Sequence, residues 1–180
     1  MKKPRIAVLG LGNLMRTDDA VGMLAIAAMR ADPRLPDSIA VIEGGTLGLD
    51  LLHPLDGVTH LLALDAVDAG AAPGALLRFA GAAINDLPIG KSVHLLGFSD
   101  LIGAMRLTGG APWALVVLGV QPRTIGWGTE LTPPVEAALP ALLDEAFALL
   151  AQWQRELAGV YSVGYEHLAE PACGDIVWTA

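Results

Sequence analysis

The chain has 180 residues, a hydrophobic fraction of 53% and a net charge of −8. Its length fits one domain with a buried core, and no apolar run reaches the roughly 18 to 20 residues of a membrane span. The acidic balance and the lack of a Lys/Arg cluster in the sequence argue against nucleic acid as a partner. Because the N-terminus has no apolar signal region and Cys173 is the single cysteine, we expect a cytoplasmic protein with no membrane partner.

Short apolar runs alternate with helical periodicity along the chain. Helix starts are indicated by the N-cap residues Thr17, Asp18, Thr46 and Thr132. In chain order we predict a strand at 5–10, a helix at 18–31, a strand at 38–43, a short helix at 46–53, strands at 60–66 and 75–80, an irregular segment at 81–93, a helix at 94–107, a strand at 113–120 and a helix at 133–157.

This alternation predicts an α/β fold, a three-layer αβα sandwich with a mainly parallel, twisted sheet of five strands. The strand at 75–80 follows its predecessor after only eight residues, 67–74, whereas a parallel crossover needs about a dozen or more. We therefore expect this strand to be antiparallel and to lie at or near an edge. Residues 1–157 are predicted to form a single α/β domain, followed by a tail at 158–180 that lacks helical periodicity.

Three acidic side chains fall where predicted strands end. Asp19 follows the first strand, Glu43 ends the second and Asp65 lies at the end of the third. Ligands of open parallel sheets bind beyond the carboxyl ends of the strands, so we expect these carboxylates to gather at one rim. Like charges held together are costly unless a cation or a donor joins them, and a metal ion is one solution.

His94, at the start of a predicted helix, could add a nitrogen ligand to this rim. Two carboxylates and one imidazole suit a borderline divalent ion such as nickel, zinc, cobalt or manganese. Such a site leaves coordination positions open, and an open position lets the ion polarise a peptide carbonyl or activate water.

The acids also have structural explanations. Asp18 is better explained as a helix cap than as a ligand, and Asp19 is equally well explained as a first-turn acid favoured by the helix dipole. Glu43 could instead accept hydrogen bonds from the amides around the double glycine that follows it. Asp65 is harder to explain by packing, since an acid that closes a buried strand needs a partner.

Common nucleotide-binding and hydrolase motifs do not fit. Gly10-x-Gly12 begins like the dinucleotide fingerprint, but Met15 occupies the third glycine position. The pair Asp18-Asp19 would also repel a pyrophosphate at the start of the helix. The sequence contains neither HExxH nor G-x-S-x-G. Weaker candidates for a chemical role are the remaining histidines and the cysteine: His53, His60, His167 and Cys173.

The segment 10–22, GLGNLMRTDDAVG, closely resembles the opening signature of the hydrogenase maturation endopeptidases. Further segments agree with that family in order along the chain: Glu43-Gly44-Gly45-Thr46, Leu64-Asp65-Ala66, 94–100, 106–109, 119–122 and 131–133. The resemblance covers about residues 4–150. Two positions depart from the usual pattern, because Asp19 stands where some members carry glutamate and Glu43 stands where aspartate is usual.

The resemblance implies an endopeptidase with a twisted α/β fold. Its expected partner is the large-subunit precursor of a nickel-iron hydrogenase, from which it removes a short C-terminal extension after nickel insertion. Asp19, Asp65 and His94 map onto the family's metal-contacting residues and are the expected catalytic and metal-binding residues. The metal is expected to be nickel supplied by the substrate, although another divalent metal remains an alternative.

Three other functions stay open on the sequence. A non-catalytic, metal-sensing chaperone of the large subunit would need the same side chains without peptide cleavage. Peptidyl-tRNA hydrolases also begin with a strand followed by Gly-Leu-Gly-Asn, but they continue with Pro-Gly and an early catalytic histidine. Here Leu14-Met15 follows, and the first histidine is His53. An ordinary nucleotide-binding α/β domain is disfavoured by the broken glycine pattern.

Overall fold

The computed structural model of the protein describes residues 4–86 and 93–162, except for the side chains of residues 82, 85–86, 93–96 and 160–162. In chain order its strands are β1 (Ile6–Leu11), β2 (Ala40–Gly45), β3 (His60–Ala66), β4 (Leu76–Ala80) and β5 (Ala114–Val120). Its α-helices are α1 (Val21–Ala31), α2 (Val93–Leu107) and α3 (Pro133–Ser162). Short 3-10 helices cover Thr17–Ala20 (η1), Gly48–Leu52 (η2) and Gly81–Asp86 (η3).

The five strands form one mixed sheet in the order β2-β1-β3-β5-β4. β1 pairs in parallel with β2 and β3, and β3 pairs in parallel with β5. β4 is antiparallel to β5 and forms an edge of the sheet. The predicted fold class and the predicted direction of β4 are therefore confirmed. From β2 the chain crosses back over β1 to form β3, so the strand order reverses between β1 and β3.

Helices cover both faces of the sheet. Successive side chains of a buried strand point to opposite faces and so join different cores. On β3, Leu62 and Leu64 join one hydrophobic core with α1 and α3. Leu61 and Ala63 join a second core with η2 and α2. This alternation places Asp65 on the same face as Leu61 and Ala63, the face that α2 covers.

Several element boundaries differ from the predictions. The first helix begins as the 3-10 helix η1, and neither Thr17 nor Asp18 caps it, since its N-cap is Arg16 and α1 has its N-cap at Ala20. The predicted helix at 46–53 is the shorter 3-10 helix η2, whose N-cap is Leu47 rather than Thr46. These ends depend on tertiary contacts that local sequence patterns do not contain.

The last helix, α3, continues to Ser162, beyond the predicted end at 157. Gln152 donates a hydrogen bond of 2.8 Å to Glu156 one turn later, and the next proline in the sequence is Pro171, beyond the end of the helix. Residues 163–180, most of the predicted tail, lie outside the described residues, and the proposed domain boundary stays a prediction. No helix in the part of the chain that the structure describes combines the length and apolarity needed to cross a bilayer.

At the amino end of the sheet, His60 is buried between two tryptophans. Its ring makes edge contacts with Trp113 and Trp153, with ring centroids 6.3 and 5.4 Å away. The hydroxyl of Thr59 lies 2.9 Å from its Nδ1. Burial lowers the pKa of His60, and the carboxylate of Glu156 offsets this shift only in part. His60 is thus a core residue at the end of the sheet opposite to Asp65.

We expect His60 to make the protein less stable in mild acid. The pKa of His60 is lower in the folded than in the unfolded state, so folding disfavours the protonated form of its imidazole. The free energy of unfolding should fall as pH drops from about 7.5 to about 5.5, through the unfolded pKa of His. This fall should be smaller in His60→Gln than in the wild type when measured by urea denaturation at both pH values. The exposed His53 provides the control, and a His60→Gln variant with the wild-type fall would contradict the assignment.

Candidate active site

The loop that follows β1 holds Asp19 against the end of the sheet. The N–H of Gly12 donates to the carbonyl of Gly45 at the end of β2, with an N···O distance of 3.1 Å. The N–H of Asn13 donates to Oδ2 of Asp19 at 3.0 Å. Asp19 itself is only 4% exposed. The loop therefore wraps around this carboxylate instead of leaving it in solvent.

Two glycines allow the close approach that places Asp19. Gly12 has a φ of +119°, and a Cβ built there would lie 1.8 Å from the carbonyl oxygen of Asp19. A Cβ at Gly22 would lie 2.2 Å from the carbonyl oxygen of Leu64 and 2.5 Å from that of Leu11. The first turn of α1 thus packs directly against the backbone at the ends of β1 and β3. Asp19 lies two residues before the start of that turn.

Asp65 lies at the end of β3, beside the same contact. It follows Leu64 directly and is fully buried. Its Oδ1 accepts a hydrogen bond of 2.8 Å from the N–H of Ala66. In the parallel register it pairs with Gly119 of β5, where a Cβ would approach Val67 Cγ2 to 2.6 Å. The structure therefore places Asp19 and Asp65 at the carboxyl ends of adjacent strands, at the crevice where the strand order reverses.

The first turns of α2 border this end of the sheet. Gly97 packs against Gly48, and both line a small cavity. The other lining residues are Leu11 at the end of β1, Gly45 and Thr46 at the end of β2, Leu51 of η2 and Phe98 of α2. His94 lies in the first turn of α2, but its imidazole is outside the described side chains. Among the side chains that are described, no three potential metal ligands form a group. A site of three ligands therefore requires His94, and it stays a prediction.

Glu43 does not join the other two acids, and this part of the rim prediction is wrong. Its carboxylate is exposed and forms a salt bridge with Arg30 of α1. Because Arg30 also donates to the carbonyl of Val41, the pair ties α1 to the outer strand β2. Glu43 is therefore a surface partner of α1, and its predicted hydrogen bonds to the amides of the double glycine are not formed.

Asp18 has a role that the sequence did not indicate. It is fully buried, and its Oδ2 accepts hydrogen bonds from the N–H of Arg123 at 2.8 Å and of Thr124 at 3.1 Å. The hydroxyl of Thr132 donates to Oδ2 at 2.8 Å, and the N–H of Thr132 donates to Oδ1 at 2.6 Å. The helix-capping interpretation of Asp18 is wrong, because all four donors belong to the loop between β5 and α3. No local pattern could have revealed partners so distant in the chain.

The same two loops are joined by backbone contacts. The N–H of Thr17 donates to the carbonyl of Gly128 at 2.8 Å, and the N–H of Gly128 donates to the carbonyl of Met15 at 3.0 Å. Thr17 has a φ of +40°, a conformation that costs a non-glycine residue about 1–3 kcal/mol and recurs at functional sites. We call residues 13–18 and 122–132, joined in this way, the clasped loops.

Gln121 orders the segment that follows Asp65. Its buried side-chain oxygen accepts hydrogen bonds from the N–H groups of Ala69 at 2.9 Å and Ala71 at 3.0 Å. Its amide nitrogen donates to Oδ1 of Asp68 at 3.0 Å. Gln121 therefore fixes the chain where it leaves the crevice, and it too was missed because its partners lie on another loop.

We expect Gly12→Ala to destabilise the protein much more than Gly57→Ala. Both glycines have a positive φ, but a Cβ at Gly57 meets nothing within 4 Å, whereas at Gly12 it would strike the carbonyl of Asp19. The control should lose about 1–2 kcal/mol from backbone strain alone, and Gly12→Ala at least about 2 kcal/mol more. Urea denaturation of both variants measures this difference. Equal losses would show that the contact between Gly12 and Asp19 does not constrain the loop.

Asp18→Asn should loosen the clasped loops. The amide NH2 would face N–H donors that now bond to a carboxylate oxygen, so we expect a loss of about 2–3 kcal/mol in the free energy of unfolding. Hydrogen exchange at the amides of Arg123, Thr124 and Thr132 should accelerate beyond the rest of the chain. The exposed Asp37 supplies the control, since Asp37→Asn should change stability by less than about 0.5 kcal/mol. Unchanged exchange at the three amides in Asp18→Asn would contradict this role.

Comparisons with known proteins agree on one family. The model of the hydrogenase maturation protease family matches residues 23–149. A hydrogenase expression/formation protein, HupD, of Bradyrhizobium diazoefficiens is 36% identical over 158 residues, which cover 83% of this chain and 79% of HupD. The hydrogenase 2 maturation protease of Escherichia coli K12 is 36% identical over 150 residues, which cover 82% of this chain and 92% of the relative.

Solved structures give the same result. The hydrogenase maturating endopeptidase HybD of Escherichia coli superposes with a TM-score of 0.78 at 35% identity, covering 82% of this chain and 93% of HybD. The [NiFe] hydrogenase maturation protease HybD of Thermococcus kodakarensis superposes with a TM-score of 0.67 at 25% identity, covering 81% and 98%. The chain therefore belongs to the hydrogenase maturation protease family and is a peptide hydrolase.

Proposed function

We propose that this protease removes a C-terminal extension from the large-subunit precursor of a nickel-iron hydrogenase after nickel has been inserted. The observation that carries the proposal is the presence of two buried carboxylates, Asp19 and Asp65, at the carboxyl ends of the adjacent strands β1 and β3. Carboxylate oxygens are ligands for divalent metal ions, so a metal ion delivered within the substrate would find two of its ligands at this end of the sheet.

The ligand set proposed for the nickel is Asp19, Asp65 and His94. Two carboxylate oxygens and one imidazole nitrogen suit nickel, and another divalent ion of similar preference could occupy the same donors. The position of His94 in the first turn of α2 supports this set, because α2 covers the face of the sheet on which Asp65 lies. Nickel would then act as a recognition element, since a precursor without it lacks the ion that the three side chains bind.

The proposed chemistry is the addition of water to the scissile peptide bond. An ion held at this position polarises the peptide carbonyl or lowers the pKa of a bound water. Asp19 or Asp65 takes the proton from the attacking water as general base, and the proton passes to the leaving amine. The wall of the crevice is rigid backbone at Gly12 and Gly22, which keeps both carboxylates in position during the reaction. We place this reaction in the cytoplasm, which suits a chain with one cysteine.

The decisive experiment incubates the protein with nickel-loaded and nickel-free precursor and follows the precursor mass by mass spectrometry. We expect the nickel-loaded precursor alone to lose its C-terminal extension. Asp19→Asn, Asp65→Asn and His94→Gln should each slow processing by at least about 100-fold, because each removes a ligand or the base. Glu43→Gln is the matched control: it removes an acid from the end of β2, outside the crevice, and should process within about twofold of the wild type.

Each other outcome identifies a different function. Equal cleavage of both precursors would end the proposed nickel recognition while leaving the protease activity intact. Stable binding of the precursor without any change in its mass would support the chaperone alternative. Full activity in all three ligand variants would place the reaction elsewhere in the molecule.

A further inference from the structure

An exposed apolar surface borders the proposed site. It consists of Leu14 and Met15 from the loop after β1, and Ile125 and Trp127 from the loop after β5. The indole of Trp127 is 81% exposed. Large apolar side chains gathered at one place on a surface indicate an interaction site, whereas isolated ones do not. We call these four residues the apolar rim.

The apolar rim is held in a fixed shape. Its two halves are the clasped loops, which Asp18 and the backbone bonds of Gly128 hold together. Nε of Arg16 donates to the carbonyl of Ile125 at 3.0 Å, and the guanidinium carbon lies 5.7 Å from the ring centroid of Trp127. Trp127 is therefore supported by a cation–π contact with Arg16. A surface ordered in advance loses little conformational entropy on binding.

Two arginines and one exposed acid, Glu130, lie in the loops that carry the apolar rim. The whole protein carries a net charge of −8, yet Arg16 and Arg123 flank the apolar rim. Within residues 4–86 and 93–162, neither guanidinium forms a salt bridge, whereas Arg30, Arg34 and Arg78 all do. Two arginines without carboxylate partners beside exposed apolar side chains fit a partner segment that carries both apolar groups and carboxylates.

The apolar rim is continuous with the crevice. Asn13, next to Leu14, donates its N–H to the carboxylate of Asp19. Arg16 lies three residues before Asp19 in the same loop. The loop that carries Leu14 and Met15 is therefore the same loop that contacts the carboxylate of Asp19.

We propose that the apolar rim is the docking surface for the hydrogenase precursor, and that it binds an apolar, carboxylate-bearing segment next to the scissile bond. This inference rests on the proposed function, because the precursor is its occupant. Trp127 provides the apolar anchor, and Arg16 and Arg123 attract the carboxylates. An exposed aromatic side chain with neighbouring arginines is the composition in which binding energy concentrates at protein interfaces.

The test measures binding and cleavage separately. Immobilised nickel-loaded precursor is titrated with wild-type protein and with Trp127→Ala and Arg123→Gln, and cleavage rates are measured over a range of precursor concentrations. We expect Trp127→Ala to raise Kd and KM by at least about tenfold while kcat stays within about threefold. Arg123→Gln should raise both constants about threefold at low salt, and this effect should shrink in high salt.

Matched controls come from the other parts of the surface. Trp113 is also strongly exposed but lies at the amino end of β5, so Trp113→Ala should leave Kd within about twofold of the wild type. Arg155 is an exposed arginine of α3, and Arg155→Gln should likewise leave binding unchanged. Thermal unfolding of every variant verifies that the fold persists at the assay temperature.

The outcomes distinguish the two proposals. If the wild type binds the precursor but does not cleave it, the proposed function fails, and the Kd values still decide the docking surface. If the wild type cleaves and Trp127→Ala and Arg123→Gln bind as the wild type does, the docking surface is wrong and the proposed function stands. If the wild type neither binds nor cleaves, both fail. If Trp127→Ala abolishes self-association in sedimentation without changing precursor binding, the occupant is a second copy of this chain and the proposal is overturned.

Discussion

The functional face of this protein depends on the hydrogen bonds that the carboxylate of Asp18 accepts. Its two oxygens accept four hydrogen bonds from a loop that lies 105 to 114 residues later in the chain. A buried charge is costly by itself, but several donors stabilise it, and hydrogen bonds to a charged acceptor are the strong ones. The same hydrogen bonds give backbone N–H groups of that loop an acceptor, although the loop has no regular secondary structure. The loops that carry the apolar rim and the start of α3 are both joined to this one residue.

Two acids that are neighbours in the sequence have different surroundings. Asp18 points into the joint between the loops, where donors surround it. Asp19 lies against the ends of the strands and accepts the N–H of Asn13. The first contributes to the architecture, and the second stands at the place where the α/β fold binds its ligands. The 3-10 geometry of η1 produces this separation, since consecutive side chains of a helix point in directions about 120° apart in that conformation.

The sequence predicted what depends on local pattern and on chain length. The bounds of β3 agree with the prediction, which rested on an almost continuous apolar run that terminates in Asp65. The antiparallel direction of β4 followed from a connection too short for a crossover. The position of Asp19 and Asp65 at the carboxyl ends of β1 and β3 followed from the rule for strand ends. The prediction that Glu43 joins these acids failed, because the rule for strand ends does not say which face of the strand a side chain occupies. The salt bridge of Glu43 with Arg30 was also not predictable from the sequence.

The roles of Asp18 and Gln121 could not be predicted for a related reason. Their hydrogen-bond partners are backbone amides of distant loops, and a backbone amide leaves no signature in the sequence. A helix cap was the simpler explanation for Asp18, and it would have been correct if the loop after β5 had taken another path. His94 needed the family resemblance, because its place at a helix start carries no information about what its ring contacts.

Because Gly22 has no side chain, α1 packs so closely on the sheet that the two cannot move independently. Backbone atoms of Leu11 and Leu64 fill the space where a Cβ would stand, so the first turn of α1 is in direct contact with two strands. Such a contact leaves no room for a hinge, since packed interiors shift between discrete arrangements and do not deform gradually. Asp19 and Asp65 are therefore parts of one stiff body. A ligand that enters this crevice therefore meets the two carboxylates in fixed positions.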